Sequence, residues 1–157
     1  MIQRIQTVWL FLAALVLLGL FQFPYVSYID LVGLGRKIYV TGEYSAVNNE
    51  TVKQSSHLLQ TIVTIILVIL PIVTIFMFKD RKRQLKMTFL TIALIVVFMI
   101  WLLFSANGTL ASISQTVGAN NIGVGFFLLP VSIIFLAMAI GGIRKDEKLI
   151  KSADRLR

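Results

Sequence analysis

Residues 58–104 read LLQTIVTIILVILPIVTIFMFKDRKRQLKMTFLTIALIVVFMIWLLF, two apolar runs separated by a basic turn. Leu58 to Phe78 has no charged residue, KDRKRQ follows at positions 79–84, and Leu85 to Phe104 has only Lys86. About 20 helical residues cross a bilayer core about 30 Å thick. Two helices of this length joined by a short polar turn are expected to lie antiparallel and adjacent, with the turn in water.

The composition agrees with a membrane protein. The chain has 157 residues, of which 57% are hydrophobic and 14% charged, and its mean hydropathy is +0.87, whereas a soluble domain has about 25% charged residues. The net charge of +8 comes from basic residues beside the apolar runs, so it favours orientation in a membrane over nucleic-acid binding, and we expect no nucleic-acid partner. The absence of cysteine excludes disulfides and thiolate metal sites in this chain.

Two further apolar runs complete the prediction of an all-α membrane protein with four transmembrane helices in a single domain over residues 1–157. The predicted spans cover residues 8–26, 58–78, 85–104 and 122–143. A cleaved signal peptide is the alternative for the first run, but FQFPY at positions 21–25 offers no small-residue cleavage site. In the fourth run, small residues at positions 137–142 suit a helix-contact face, although such residues are also common in membrane helices.

The polar segments between the runs predict the outer structure. Residues 28–32 and 36–41 are rich in β-branched and aromatic residues around Gly33-Leu34-Gly35, which predicts a small β-hairpin in the first extracytoplasmic loop. Asn48-Asn49-Glu50 predicts a turn before the second span. The second outer segment, residues 105–121, predicts a short loop with one strand against the first loop.

The positive charges predict the orientation. Twelve of the fifteen basic residues lie before the first run, in the turn after the second, or after the fourth. Basic residues in short loops stay in the cytoplasm, so both termini are expected there. Leu149, Ile150, Ala153 and Leu156 fall on one side of a helix, which predicts that residues 144–157 form a basic amphipathic tail helix at the membrane surface.

No arrangement of residues predicts a reaction, so the chain is expected not to be an enzyme. Residues 8–26, 58–78, 87–104 and 122–143 contain no ionisable side chain, and such a side chain in mid-membrane would mark a functional site. The lone His57 is too few ligands for zinc. The carboxylates Asp30, Glu43 and Glu50 show no spacing that pairs them as acid and base. We therefore predict no catalytic, cofactor or metal site.

The basic side chains are instead the candidate contact residues. They are expected to attract anionic lipid headgroups, at about 1 kcal/mol for each residue near the surface, with docking to an acidic partner as the alternative. They are Lys79, Arg81, Lys82, Arg83, Lys86, Arg144, Lys145, Lys148, Lys151, Arg155 and Arg157.

The two ends of the chain resemble a known family. MIQRIQT at positions 1–7, with its Arg-Ile-Gln triplet, and IRKDEKL at 143–149 followed by SADRLR at 152–157 are similar to the termini of a bacterial family catalogued as domain of unknown function 4293. The resemblance implies a small four-span protein of the bacterial inner membrane. It implies no catalytic residue, ligand or partner.

Two function classes follow from these observations. The first is a non-enzymatic structural, interaction or accessory subunit, which contacts the lipid bilayer and either a membrane protein partner or other copies of itself. The alternative is a component of a small transporter or channel that forms on oligomerisation. Its path would be lined by polar residues of the spans, namely Gln22, Gln60, Thr64, Thr74, Thr91 and Ser132.

Overall fold

The computed structural model describes residues 3–29, 33–47, 50–78, 80–111 and 118–155. Its elements in chain order are α1 (Gln3–Leu18), a 3₁₀ turn (Gly19–Phe21), β1 (Val26–Ile29), β2 (Gly35–Tyr39), β3 (Gly42–Val47), β4 (Glu50–Ser56), α2 (Leu58–Phe76), α3 (Arg81–Ala111), a 3₁₀ turn (Ala119–Asn121) and α4 (Val124–Arg155). Within these described ranges, three helices are long and apolar enough to cross a membrane: α2, α3 and the Val124–Lys148 part of α4. A shorter apolar helix covers Ile5–Phe21.

The four helices form a ring in which each packs against two neighbours. α1 packs against α2 and α4, and α3 packs against the same two helices. Gln6 at the start of α1, Arg81 at the start of α3 and Asp146 late in α4 are in contact, so neighbouring helices run antiparallel. We call the end of the bundle that holds these three residues the basic end, and the opposite end the sheet end.

Outward-facing side chains of all four helices are apolar, which explains why the bundle suits a lipid environment. In a soluble protein, apolar surface this extensive would be covered by a partner. Exposed examples are Val8, Phe11 and Leu15 of α1, Ile62, Ile66 and Val73 of α2, Leu90, Val97 and Phe104 of α3, and Phe127, Ile134 and Met138 of α4.

Close packing of α1 on α4 uses some of the predicted small residues. Ala139 is fully buried, and a Cβ added at Gly142 would lie 3.2 Å from the Cβ of Gln6. Gly141 faces open space, since an added Cβ would meet nothing within 4 Å. The run at positions 137–142 therefore supplies a contact face only through the residues that point at α1.

The sheet corrects the prediction of a simple hairpin. β1 and β2 pair antiparallel, with Ile29 opposite Gly35, so the predicted hairpin exists, but β3 and β4 extend it into a four-stranded antiparallel sheet of order β1-β2-β3-β4. β4, ETVKQSS, begins at the last residue of the predicted turn and covers a segment for which no strand was predicted. Its strand was missed because an exposed strand lacks the alternation of apolar and polar residues that reveals a half-buried one. Asn48 and Asn49 lie outside the described residues.

Backbone contacts join the sheet to the bundle. The Gly123 amide donates to the Tyr25 carbonyl, and the Gly125 amide donates to the Pro24 carbonyl, both at 2.9 Å. A single antiparallel bridge pairs Val26 with Ile122. This bridge joins residues that flank the two predicted outer segments, and the elements that the structure describes within residues 105–121 are helical, so the bridge is not the strand predicted there.

α3 is longer than the predicted span of residues 85–104. It begins at Arg81 and ends at Ala111, so Asn107-Gly108, a turn-like pair within the segment predicted to be a loop, is helical. Asn and Gly are unfavourable inside a helix by less than about 1 kcal/mol each relative to Ala. Packing outweighs that cost here, since the neighbours Ala106 and Leu110 are fully buried. Residues 112–117 lie outside the described part of the chain.

A candidate binding cavity on the sheet

The predicted contact residues whose side chains the structure describes lie at the basic end, and all of them except Arg81 are exposed. Exposed basic side chains are Lys82, Arg83, Lys86, Arg144, Lys145 and Lys148. Arg83 forms an exposed salt bridge to Asp80 at 2.9 Å. The Arg144 guanidinium lies 5.5 Å from the Phe89 ring centre, a distance at which a cation is attracted to an aromatic face. The side chains of Lys79, Lys151, Arg155 and Arg157 lie outside the described residues.

Arg81 differs from the other basic residues because it points into the bundle. Its guanidinium donates to Asp146 at 2.8 Å, and the two side chains are only 11% and 6% exposed. Gln6 donates its amide to the same carboxylate oxygen at 2.8 Å. This cluster connects α1, α3 and α4. No sequence signal pointed to this cluster, because Asp146 is one of three acidic residues in the basic tail and none of them was singled out.

Gln84 closes the end of α2. Its side-chain amide donates to the Thr74 carbonyl at 3.3 Å, and the Met77 amide donates to the same carbonyl at 3.2 Å. The last carbonyls of a helix have no partner within the helix, so this contact satisfies one of them inside the bundle. Gln84 is 1% exposed and belongs to the interior of the basic end.

Five of the six polar residues proposed to line a transport path are bonded within the bundle, and the sixth, Gln22, is exposed. Hydroxyls of Thr64, Thr74 and Thr91 donate to the carbonyl four residues earlier in their own helix, and Ser132 donates to Leu129. Gln60 donates to the Ser105 hydroxyl at 2.8 Å and also lies 3.4 Å from the Tyr25 hydroxyl. These contacts satisfy backbone groups and connect helices, which is the usual role of such residues in membrane bundles.

On the sheet, Glu43 is held by two neighbours on the face that packs towards the helices. The Tyr28 hydroxyl and the Arg36 guanidinium both donate to its Oε1. Burial raises the pKa of the Tyr28 hydroxyl above its usual value, and the adjacent carboxylate raises it further. The structure thus gives Glu43 a structural ion pair. The side chains of Asp30 and Glu50 lie outside the described residues.

A cavity of about 250 Å³ opens on the sheet where β2 and β3 meet the turn that ends α1. Its walls combine aromatic rings, hydroxyls and one ammonium group. The Tyr39 and Tyr44 rings meet edge to face with centres 5.2 Å apart, and the Thr41 and Tyr44 hydroxyls are 3.4 Å apart. The lining residues are Phe21, Gly35, Lys37, Tyr39, Thr41, Tyr44 and Ser45.

Two lysines flank Tyr44 in a row across the sheet. Lys37 of β2 is directly opposite Tyr44 of β3, and Tyr44 is directly opposite Lys53 of β4. Both lysines are exposed, and the Lys53 ammonium lies 6.0 Å from the Tyr44 ring centre. Gly42 leaves room for this arrangement, because its φ is 149° and an added Cβ would lie 2.9 Å from the Lys53 side chain and 2.1 Å from the Ser55 carbonyl oxygen.

This row was not predicted from the sequence, because Lys37 and Lys53 are far apart along the chain and β4 was not predicted as a strand. Only the register of three strands brings the lysines to the same tyrosine. Among the described residues, no group of three or more His, Cys, Asp or Glu side chains could hold a metal ion. The cavity is therefore suited to binding through cations, hydroxyls and aromatic surface.

The family resemblance is confirmed over nearly the whole chain. The model of the family described as Domain of unknown function (DUF4293) matches residues 2–156. The chain belongs to this family. The match includes both ends that carry the resemblance, so the DUF4293 domain comprises the helix bundle and the sheet together. No curated protein matches the chain by sequence.

Proposed function

We propose that this DUF4293 protein is a non-enzymatic interaction or accessory subunit of the bacterial inner membrane, with four spans and both termini in the cytoplasm. The observation that carries the proposal is the separation of its two ends. The start of α1, the turn between α2 and α3 and the late part of α4 meet at the basic end, while the sheet and its cavity lie at the other. The protein thus presents one surface on each side of the membrane.

The surface of α1 supports its role as a membrane span in addition to α2, α3 and α4. Its inward face is formed by Leu10, Ala13 and Leu17, which are fully buried, while Phe11 and Leu15 are about half exposed. α1 and the 3₁₀ turn together cover residues 3–21, within the range of about 17 to 25 residues that spans a bilayer. α1 is apolar on both faces and packs between two longer apolar helices, α2 and α4. We therefore place it in the same lipid environment as those two helices.

The bonded hydroxyls of the bundle interior support an accessory role over a transport path. The buried hydroxyls of the helices are engaged by carbonyls of the same helix, so their polar groups contribute to bundle stability. The surfaces that remain available to bind a partner or lipid headgroups are the two ends of the bundle. At the basic end, exposed lysines and arginines suit anionic lipid headgroups or an acidic partner.

Cysteine labelling tests the orientation, and the chain has no cysteine of its own to interfere. We expect Val52→Cys on β4 to react with an impermeant thiol reagent in intact spheroplasts, and Lys82→Cys at the basic end to react only after permeabilisation. Both positions are exposed, so burial does not limit either reaction. Labelling of Lys82→Cys alone in intact spheroplasts would reverse the proposed orientation.

The accessory role is tested by cross-linking in native membranes, followed by purification of the tagged full-length chain and mass spectrometry. Recovery of a second polypeptide in near-equal amount is the expected result. Recovery of this chain alone as a defined oligomer, together with solute flux in liposomes that contain only this protein, would contradict the accessory role and favour the transporter.

A further inference from the structure

We infer that the cavity on the sheet binds the phosphate-containing headgroup of an anionic phospholipid from the adjacent leaflet. The inference rests on the proposed function, because that places the sheet at a membrane surface. It assigns a ligand class to a cavity that the accessory role leaves unspecified. The argument uses the charge, the size and the position of the cavity.

The charge of the row favours an anion. Lys37 and Lys53 lie on either side of Tyr44, and each ammonium group offers three hydrogen-bond donors. The nearest described carboxylate in the sheet, Glu43, is bonded to Tyr28 and Arg36. Glu43 is paired with Ile38, a fully buried residue, in the strand register, whereas Tyr44 is paired with the exposed Lys37. The carboxylate therefore does not neutralise the two lysines.

The size of the cavity favours a lipid headgroup over a whole lipid molecule. A pocket that buries most of a drug-sized molecule has a volume of about 300 to 1,000 Å³. The volume here is about 250 Å³, so a small polar group fits and any longer part of the ligand remains outside. The Thr41 and Tyr44 hydroxyls, which line the cavity, can bond a glycerol or phosphate oxygen.

The position of the cavity supplies a place for the remaining part of the ligand. Phe21, in the turn that ends α1, forms one wall, and Phe23 is 44% exposed two residues later. The cavity thus adjoins the apolar surface of the bundle at the sheet end. Tyrosines favour this level of a membrane, where the ring is in an apolar environment and the hydroxyl is in water. An acyl chain can lie beside Phe23 while its headgroup occupies the cavity.

Photo-cross-linking of the purified full-length chain tests the inference with spatial resolution. The probe is phosphatidylglycerol with a photoreactive group near the headgroup, in nanodiscs of phosphatidylcholine. We expect cross-links on the peptide that contains Tyr39 and Tyr44. We expect Lys37→Gln and Lys53→Gln each to lower this yield about fivefold, the change that corresponds to about 1 kcal/mol per lysine.

The matched control is Lys82→Gln, an exposed lysine at the basic end, which should leave the yield at Tyr39 and Tyr44 unchanged. Equal losses in Lys82→Gln and Lys37→Gln would overturn the inference by showing a general charge effect. The same yield with a phosphatidylcholine probe would overturn the requirement for an anion. Millimolar glycerol phosphate should reduce the cross-link, because it carries the same headgroup chemistry, whereas complete loss of the cross-link in micromolar glycerol phosphate would identify a soluble organophosphate as the tighter ligand and overturn the lipid.

This experiment is independent of the orientation test. Labelling of Val52→Cys and Lys82→Cys reports on which side the sheet lies, whereas the cross-link reports on what the cavity binds. Cross-linking at the cavity combined with reversed labelling would overturn the proposed orientation and retain the lipid site. The expected labelling pattern without a cross-link would retain the proposed orientation and overturn the lipid site.

Discussion

At the scale of single residues, the contact between Arg81 and Asp146 is the most consequential charge pair that the structure describes. Both side chains are largely buried. Loss of one partner from a buried pair leaves an uncompensated charge, which costs about 3 kcal/mol or more. We predict that Asp146→Asn lowers the free energy of unfolding by about 3 kcal/mol, as measured by thermal or denaturant unfolding of the purified chain in detergent.

A neighbouring pair provides the control. Arg83 and Asp80 are 75% and 48% exposed, and exposed pairs contribute less than about 1 kcal/mol, so Asp80→Asn should change stability little. The double variant Arg81→Met/Asp146→Leu should recover much of the loss, because apolar residues can replace a buried ion pair. Equal effects of Asp146→Asn and Asp80→Asn would show that burial of the first pair carries no energetic weight.

At the scale of elements, the junction between the sheet and α4 depends on close backbone approach. A Cβ added at Gly125 would lie 2.5 Å from the Phe23 carbonyl oxygen, so the backbone has to move to admit it. We predict that Gly125→Ala destabilises the protein by about 1 to 3 kcal/mol, as overpacking does. The measurement is the unfolding midpoint, combined with protease sensitivity of the sheet.

Gly141 is the matched control on the same helix. Nothing lies within 4 Å of an added Cβ there, and alanine favours a helix over glycine by about 1 kcal/mol, so Gly141→Ala should be neutral or stabilising. A loss of stability in Gly141→Ala equal to that in Gly125→Ala would locate the effect in the helix itself and contradict the junction model.

The elements also differ in how well the sequence predicts them. Long apolar runs predict α2, α3 and α4 because the pattern extends over many residues, and the Gly33-Leu34-Gly35 loop predicts the β1–β2 hairpin. The end of α3 is a local choice between helix and turn at Asn107-Gly108, and tertiary packing decides it. β4 has few apolar residues, so its pairing with β3 leaves no periodic signal.

The cavity escapes prediction for a related reason. Lys37, Tyr44 and Lys53 come together only through strand register, which the sequence does not specify when β4 is unrecognised. Likewise, Asp146 meets Gln6 across nearly the whole length of the chain. No spacing pattern in the sequence predicts a contact between two distant residues of common type. An apolar run, in contrast, is predictable because every residue along it contributes to the same signal.

At the scale of the whole molecule, the late part of α4 closes the bundle. Truncation after Gly142 removes Asp146, and truncation after Lys148 retains it. We predict that both shortened chains stay in the membrane, because their apolar helices are intact, and that only the first unfolds at a clearly lower temperature. Carbonate extraction measures retention, and the unfolding midpoint in detergent measures stability.

Release of either chain from the membrane would contradict the assignment of α4 as a span. If both truncations lowered the unfolding temperature equally, the stabilising contact would lie beyond Lys148, and the cluster of Gln6, Arg81 and Asp146 would not be its source.

The ring of helices has a consequence for biosynthesis. α1 is synthesised before α2, α3 and α4, yet it packs against α4. Until α4 has been synthesised, α2 is the only packing neighbour of α1 that is present. Arg81 also reaches the membrane surface before its partner Asp146 has been synthesised. Closure of the ring therefore waits until α4 has been synthesised. A nascent protein that stops short of Asp146 presents an open seam between α1 and α3 and an unmatched guanidinium at Arg81, two features that are absent once the late part of α4 is in place.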